Sequence, residues 1–297
     1  MQPASPDAPK LPDTTSVGAV RLRIGDLARS LGFYADLLGF RLLRVPAAED
    51  GATTESAGSA ALSADGANVV ISLEARPGVR FRPPGTLGLY HFAILYPDRA
   101  SLARAILRLR SASWPFQGFS DHAVSEAAYL ADPDGNGVEL YADRPRALWH
   151  RDGRIVMTTH PLDLRDLLAQ AGGAEWAGAD PRTRIGHIHL HVADLARAEQ
   201  FWANLVGLDV VTRDYPGALF LSAGGYHHHV AVNTWSPMRA LAGDDVAGLL
   251  AMTLHVPDAG ARDGIRGRLE AARIAVQDTA GGLRFADTEG NAVLVTG

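Results

Sequence analysis

Residues 89–98 read LYHFAILYPD, and residues 120–141 read SDHAVSEAAYLADPDGNGVELY. The first segment alternates apolar residues behind His91 and is closed by Pro97-Asp98. It predicts a strand with His91, Ala93 and Leu95 on one face. The second segment places Tyr129 in one apolar run and Glu139 in another. Between them, Asp132-Pro133-Asp134-Gly135-Asn136-Gly137 has the residues of a hairpin turn. A carboxylate inside Val138-Glu139-Leu140-Tyr141 is costly to bury unless it is paired or bound to a metal. On the solvent face of an edge strand it would cost nothing. The rest of the chain favours the first reading.

Working outward, the same order of elements recurs. From Val17 to Glu74 the chain reads as a strand (AVRLRI, 19–24), a turn at Asp26 and a helix (LARSLGFYADLLG, 27–39). Leu27, Leu31, Tyr34, Leu37 and Leu38 give that helix its apolar period. Strands are expected at Phe40–Val45, Ser59–Ser63 and Asn68–Leu73. The stretch Leu89–Tyr141 repeats the pattern, with Asp98 as helix N-cap and RASLARAILRLR (99–110) as the helix. A third copy starts at Gly186 and a fourth near Leu250. VRLRIGDLARSLGFYADLLGF (20–40) matches IHLHVADLARAEQFWANLVGL (188–208), and ADPDGNGVELY (131–141) matches ADTEGNAVLVT (286–296).

A repeat of mixed strand and helix at this period predicts an α+β fold of four βαβββ modules. One such half-sheet cannot close alone, so two modules side by side should make a cup, and the chain two cups. In chain order this divides the protein into a flexible tail (1–16), a first module pair (17–142), a connector (143–184) and a second pair (185–297). The connector holds a short helix over Pro161–Leu168 and a Gly/Ala-rich run. It is expected to pack on the surface without a part in catalysis. Residues 48–58 are expected to be a mobile loop.

With 297 residues and 47% hydrophobic content, the chain can build real cores. A net charge of -5 provides no electrostatic footprint for nucleic acid or acidic membranes. There is no cysteine, hence no disulfide, thiolate nucleophile or zinc–cysteine site. No apolar run reaches the ~20 residues that span a bilayer, and the N-terminus lacks the apolar core of a signal peptide. A cytoplasmic protein without nucleic-acid or membrane partners is expected. All 11 histidines follow residue 90, and six of them fall in GHIHLHV (186–192) and GYHHHV (225–230).

The Asp after the first strand registers the modules against one another. His91 lies seven residues before Asp98, and His187 seven before Asp194; the same offset gives Ala19 and Ala251 in modules one and four. On the last strand Glu139 aligns with Leu294. Modules two and three therefore carry polar residues where one and four do not, the pattern of a duplication that retained one site. Two histidines and a carboxylate from three strands form a facial triad that suits Fe(II), Mn(II) or Zn(II). His189 and His191 share a strand face with His187 and are expected to line the site; His255 lies four residues beyond its module's ligand position and is expected to be a core or surface histidine.

These residues and repeats resemble the vicinal oxygen chelate (glyoxalase/bleomycin resistance/dioxygenase) superfamily. Within it they resemble the extradiol ring-cleavage dioxygenases of the catechol 2,3-dioxygenase kind, over about residues 17–297. Three further matches carry the resemblance. Tyr129 stands ten residues before Glu139, His122 shortly precedes that tyrosine, and the run Tyr226-His227-His228-His229 matches a His-His pair of which one is the acid–base residue. Counting back from Asn233 and Trp235 selects His229; aligning the apolar residues selects His228. In familiar members the metal lies in the C-terminal module pair, whereas here the matching residues fall in modules two and three. Those two modules must close one cup across the connector or meet between chains.

The resemblance implies an Fe(II)-dependent oxidoreductase that cleaves catechol or a substituted catechol with O2, with Mn(II) or Zn(II) as other metals the ligands would take. It also allows a homo-oligomer. His91, Glu139 and His187 would hold the metal, and His228 or His229, His122 and Tyr129 would be catalytic. The rival within the fold is a glyoxalase-like metal-dependent lyase or isomerase. A drug-sequestering binding protein of the same fold would not need the triad.

Overall fold

The computed structural model describes residues 10–43 and 58–297. The first nine residues of the expected tail, the end of the strand Phe40–Val45 and residues 48–57 of the expected loop lie outside them. Residues 10–15 are held: Leu11 is buried and donates its backbone N–H to Gly207 O at 2.8 Å. The tail expected over 1–16 is therefore anchored at its C-terminal end by the apolar Leu11.

The strands form two large sheets. One runs Gln277–Thr279, Gly282–Ala286, Ala292–Thr296, Gly248–His255, Ser16–Ile24, Ile71–Ala75, Ser59–Ser63 and Arg41–Leu43. The other runs His160–Pro161, Phe116–Asp121, Ser125–Ala131, Gly137–Asp143, Gly88–Tyr96, Arg184–His191, Val230–Asn233, Ala218–Ser222 and Asp209–Thr212. Four modules and two cups are present, but each sheet joins modules from both halves of the chain: four with one, and two with three. The pairs 17–142 and 185–297 thus divide the sequence and not the sheets. Modules two and three close within one chain, through antiparallel pairing of Gly88–Tyr96 with Arg184–His191.

The helices follow the apolar periods. Arg99–Ser111 is capped by the Asp98 side chain, which accepts from the Ser101 N–H at 2.8 Å, and it buries Leu102, Ile106 and Leu109. The helix expected over 27–39 is regular only through Leu27–Leu31 and continues in wider π-type turns over Gly32–Leu37; module three does the same over Leu195–Glu199 and Gln200–Val206. One apolar core takes residues from the helices and from the backs of both sheets, including Leu22, Phe92, Ile106, Leu190 and Trp202. The hairpin turn after Ala131 is tied into this core. Asp132 accepts from the backbone N–H of Asp134 and Asn136, from the Asn136 amide and from the Tyr34 hydroxyl at 2.8–2.9 Å. Burial raises its carboxyl to about 6 despite those donors. Module one thereby props the turn that sets the register of Glu139.

Candidate metal centre and cavity

Three strands place the site. Ala93 pairs with Glu139 on one side and with His187 on the other. These residues share the cup face, and His91, two positions from Ala93, shares it too. Ala93 is small, so the larger side chains beside it can converge above it. Gly186, just before His187, is required by close approach: a Cβ there would lie 1.7 Å from the Tyr141 hydroxyl. The hairpin pairs Tyr129 directly with Glu139, which explains the ten-residue spacing.

His91, Glu139 and His187 each offer one buried ligand atom, all within 4.8 Å of one another. Glu139 Oε2 is 2.9 Å from His91 Nε2 and 3.1 Å from His187 Nε2. His91 Nε2 nevertheless has no hydrogen-bond partner, because its direction does not suit that carboxylate, and His187 Nδ1 is buried without one. Burial, only partly offset by Glu139, lowers His187 to about 4, so the ring is neutral near pH 7 and keeps a lone pair. A buried carboxylate with imidazole nitrogens facing a common point, and no Lys or Arg paired with them among the described residues, is a donor set that fits a divalent cation of the Fe(II), Mn(II) or Zn(II) kind.

His91 and Glu139 of this cluster line a cavity of about 320 Å³, within the size range of small-molecule sites. Tyr129 and His122 stand on one side. The Thr158 backbone carbonyl lies 2.6 Å from His122 Nδ1 and can only accept, so that nitrogen donates. His122 Nε2 then accepts from the Tyr129 hydroxyl at 2.7 Å. Burial first, then the Glu139 charge, push that hydroxyl well above the ordinary tyrosine range. His228 lines the opposite side, its ring centre 4.0 Å from that of His187. Burial, reinforced by His187, holds His228 well below the ordinary histidine range.

His229 is not a lining residue. Its ring stacks on Tyr226, and its Nδ1 accepts from the Ala223 N–H at 3.2 Å. The structure thus brings His91, Glu139, Tyr129, His122 and His228 around one cavity, sets His187 against His91, Glu139 and His228 behind that lining, and leaves His229 outside. His189 lines the cavity and His191 is bound through Asn233; neither belongs to the three-residue cluster. His255 is on the other sheet, bonded to Thr296.

The connector does not stay apart from the site. Met157, Thr158 and Thr159 line the cavity, and Thr158 orients His122. An aromatic wall of Tyr90, Tyr215, Phe220 and Trp235 also went unread from the sequence. Its residues are scattered over two modules, and only the run YHHHVAVNTW pointed towards one of them, Trp235.

The sequence profile of the Glyoxalase/Bleomycin resistance protein/Dioxygenase superfamily matches residues 16–140. Over 281 residues, 93% of this chain and 94% of the relative, the sequence is 41% identical to Catechol-2,3-dioxygenase of Bacillus subtilis (strain 168). The chain belongs to the glyoxalase/bleomycin resistance protein/dioxygenase superfamily. Within that superfamily it is an oxidoreductase of the extradiol dioxygenase kind. Solved structures share its fold. A provisionally named dioxygenase from Bacillus subtilis superposes with a TM-score of 0.66 at 15% identity, covering 97% of this chain and 86% of that one. Glyoxalase I from Zea mays does so with a TM-score of 0.57 at 17% identity, covering 95% and 92%. No helix among the described residues is long and apolar enough to cross a membrane.

Proposed function

We propose that this superfamily member cleaves the ring of an uncharged catechol with O2, using Fe(II) held by His91, Glu139 and His187. The observation that carries the reading is the three-atom cluster, of which His91 and Glu139 line a cavity with two different proton-handling groups on opposite walls. Fe(II) bound there would supply open positions for the substrate oxygens and O2, and one-electron chemistry. The protein's own groups do the rest. His228, neutral and facing the cavity, takes a catechol proton and later returns one. Tyr129, held protonated with its O–H donated to His122 Nε2, accepts a hydrogen bond from the other catechol hydroxyl. The aromatic wall stacks on the ring and excludes water.

The cavity lining also supports the substrate class. Among the described lining residues there is no Lys or Arg, and Glu139 is the sole carboxylate. A ring carboxylate would lose its hydration without gaining a cationic side chain as partner. Catechol and apolar-substituted catechols fit.

The test is anaerobic reconstitution of the full chain with Fe(II), followed by oxygen-electrode and visible-absorbance assays with catechol. O2 uptake with appearance of a yellow ring-opened semialdehyde is expected. No uptake with several catechols, together with isomerisation of a thiol hemithioacetal, would replace this reading by the lyase or isomerase one.

A further inference from the structure

The strand Gly137–Asp143 carries a second carboxylate on the same face as Glu139, four residues on. Asp143 Oδ1 lies 2.9 Å from His227 Nε2, and His227 Nδ1 lies 2.8 Å from His228 Nδ1. His227 is fully buried, whereas His228 reaches the cavity. We infer that Asp143 and His227 are positioning residues that fix the ring orientation and tautomer of His228, leaving its Nε2 as the acceptor that faces the cavity.

The hydrogen-bond inventory gives the order of donors. A carboxylate only accepts, so His227 Nε2 donates to Asp143. With its ring proton on Nε2, His227 offers the Nδ1 lone pair, and His228 Nδ1 donates to it. The remaining nitrogen of His228, Nε2, carries no proton. This is the second-partner logic by which a carboxylate sets which nitrogen of a histidine is free. Asp143 is itself held: the Tyr226 hydroxyl donates to Oδ1 at 3.2 Å, and the Tyr141 hydroxyl stands 2.7 Å from that of Tyr226. Phe220 stands edge-on to His228 at a ring-centre separation of 5.1 Å, so apolar contact limits rotation while the hydrogen bond selects the tautomer.

The inference rests on the reading of His228 as the proton-handling group, and the experiment separates the two. In the metal-free full chain labelled with 15N, the imidazole nitrogens of His228 are read by two-bond 1H–15N correlation and assigned by their loss in His228→Gln. The wild type is expected to show a protonated Nδ1 and a bare Nε2. Asp143→Ala and, independently, His227→Phe are expected to release that preference. Tyr226→Phe, which removes the hydroxyl that donates to Asp143 and meets Tyr141 but keeps the ring and the Asp143–His227 pair, should preserve it. With Fe(II) and catechol, Asp143→Ala is expected to lower kcat by roughly 10–10³-fold, part of the ~10²–10⁴-fold that a positioned acid–base group supplies. KM should stay unchanged, and in a His228→Gln background the loss should vanish. A wild-type His228 protonated on Nε2, or a tautomer indifferent to both variants, overturns the inference. A tautomer that responds while kcat does not upholds the positioning and removes His228 from the reaction.

Discussion

Glu139→Leu installs at the candidate metal centre, in module two, the residue that module four already carries at the matching position, Leu294. Two effects of opposite sign follow. In the metal-free protein, Glu139 is 2% exposed and its polar neighbours are the His91 and His187 rings and the Tyr129 hydroxyl across the hairpin. His187 is neutral near pH 7, since burial lowers it to about 4. Removing the carboxylate therefore leaves no buried positive charge on His187, the circumstance that usually makes breaking a buried pair destabilising. Leu has a similar volume and adjoins the apolar Ala93, Leu95 and Tyr141. The metal-free variant should match or exceed the wild type in stability, by about 0–3 kcal/mol, as when buried ions are replaced by apolar residues. In the metal-loaded state the sign reverses. A cation at 100 times its Kd stabilises the wild type by about 2.7 kcal/mol. At roughly 2–4 °C per kcal/mol that is a Tm rise of about 5–10 °C, and the variant should show none. The assay is anaerobic thermal unfolding of both proteins with and without Fe(II), with elemental analysis of the loaded samples. A metal-free variant destabilised by more than about 3 kcal/mol, or one that retains the metal-dependent rise, would refute the reasoning.

Tyr129→Phe removes one hydroxyl hydrogen bond and should slow turnover roughly tenfold, less than His228→Gln at about 10²–10⁴-fold; steady-state kinetics with catechol reads the order, and a reversed order would exchange their roles. A catechol bearing a ring carboxylate should react with a kcat/KM at least about 100-fold below that of catechol, since burying an unpaired carboxylate costs several kcal/mol; equal efficiencies would show that a cation reaches the cavity. Stability of the metal-free protein should fall as pH drops from about 6.5 through about 4 to about 3, because burial depresses His187 to about 4 and His229 to about 3. In that window the unfolded chain binds protons that the folded chain does not, so the stabilisation is complete above the unfolded pKa and is lost below the folded ones. Denaturant melts at several pH values measure it, and a flat profile from pH 7 to 4 would contradict the burial of these rings.

The sequence by itself determined what is periodic and local. Alternation, the Asp N-caps and the repeated turn define the modules, because strand pleat and helix pitch are written in residue spacing. The seven-residue offsets marked His91 and His187, and the ten-residue spacing paired Tyr129 with Glu139, since a hairpin converts spacing into adjacency. Which modules pair could not be read, because each presents a similar sheet edge and the choice lies in long-range strand pairing, of Ser16–Ile24 with Gly248–His255 and of Gly88–Tyr96 with Arg184–His191. The choice between His228 and His229 was likewise hidden. Neighbouring histidines differ only in what their rings meet, and it took Tyr226 and Ala223 on one side and the cavity on the other to separate them. The connector became part of the site for the same reason. Its carbonyl at Thr158 bonds His122 across the folded sheet edge, and a backbone carbonyl has no signature in the sequence.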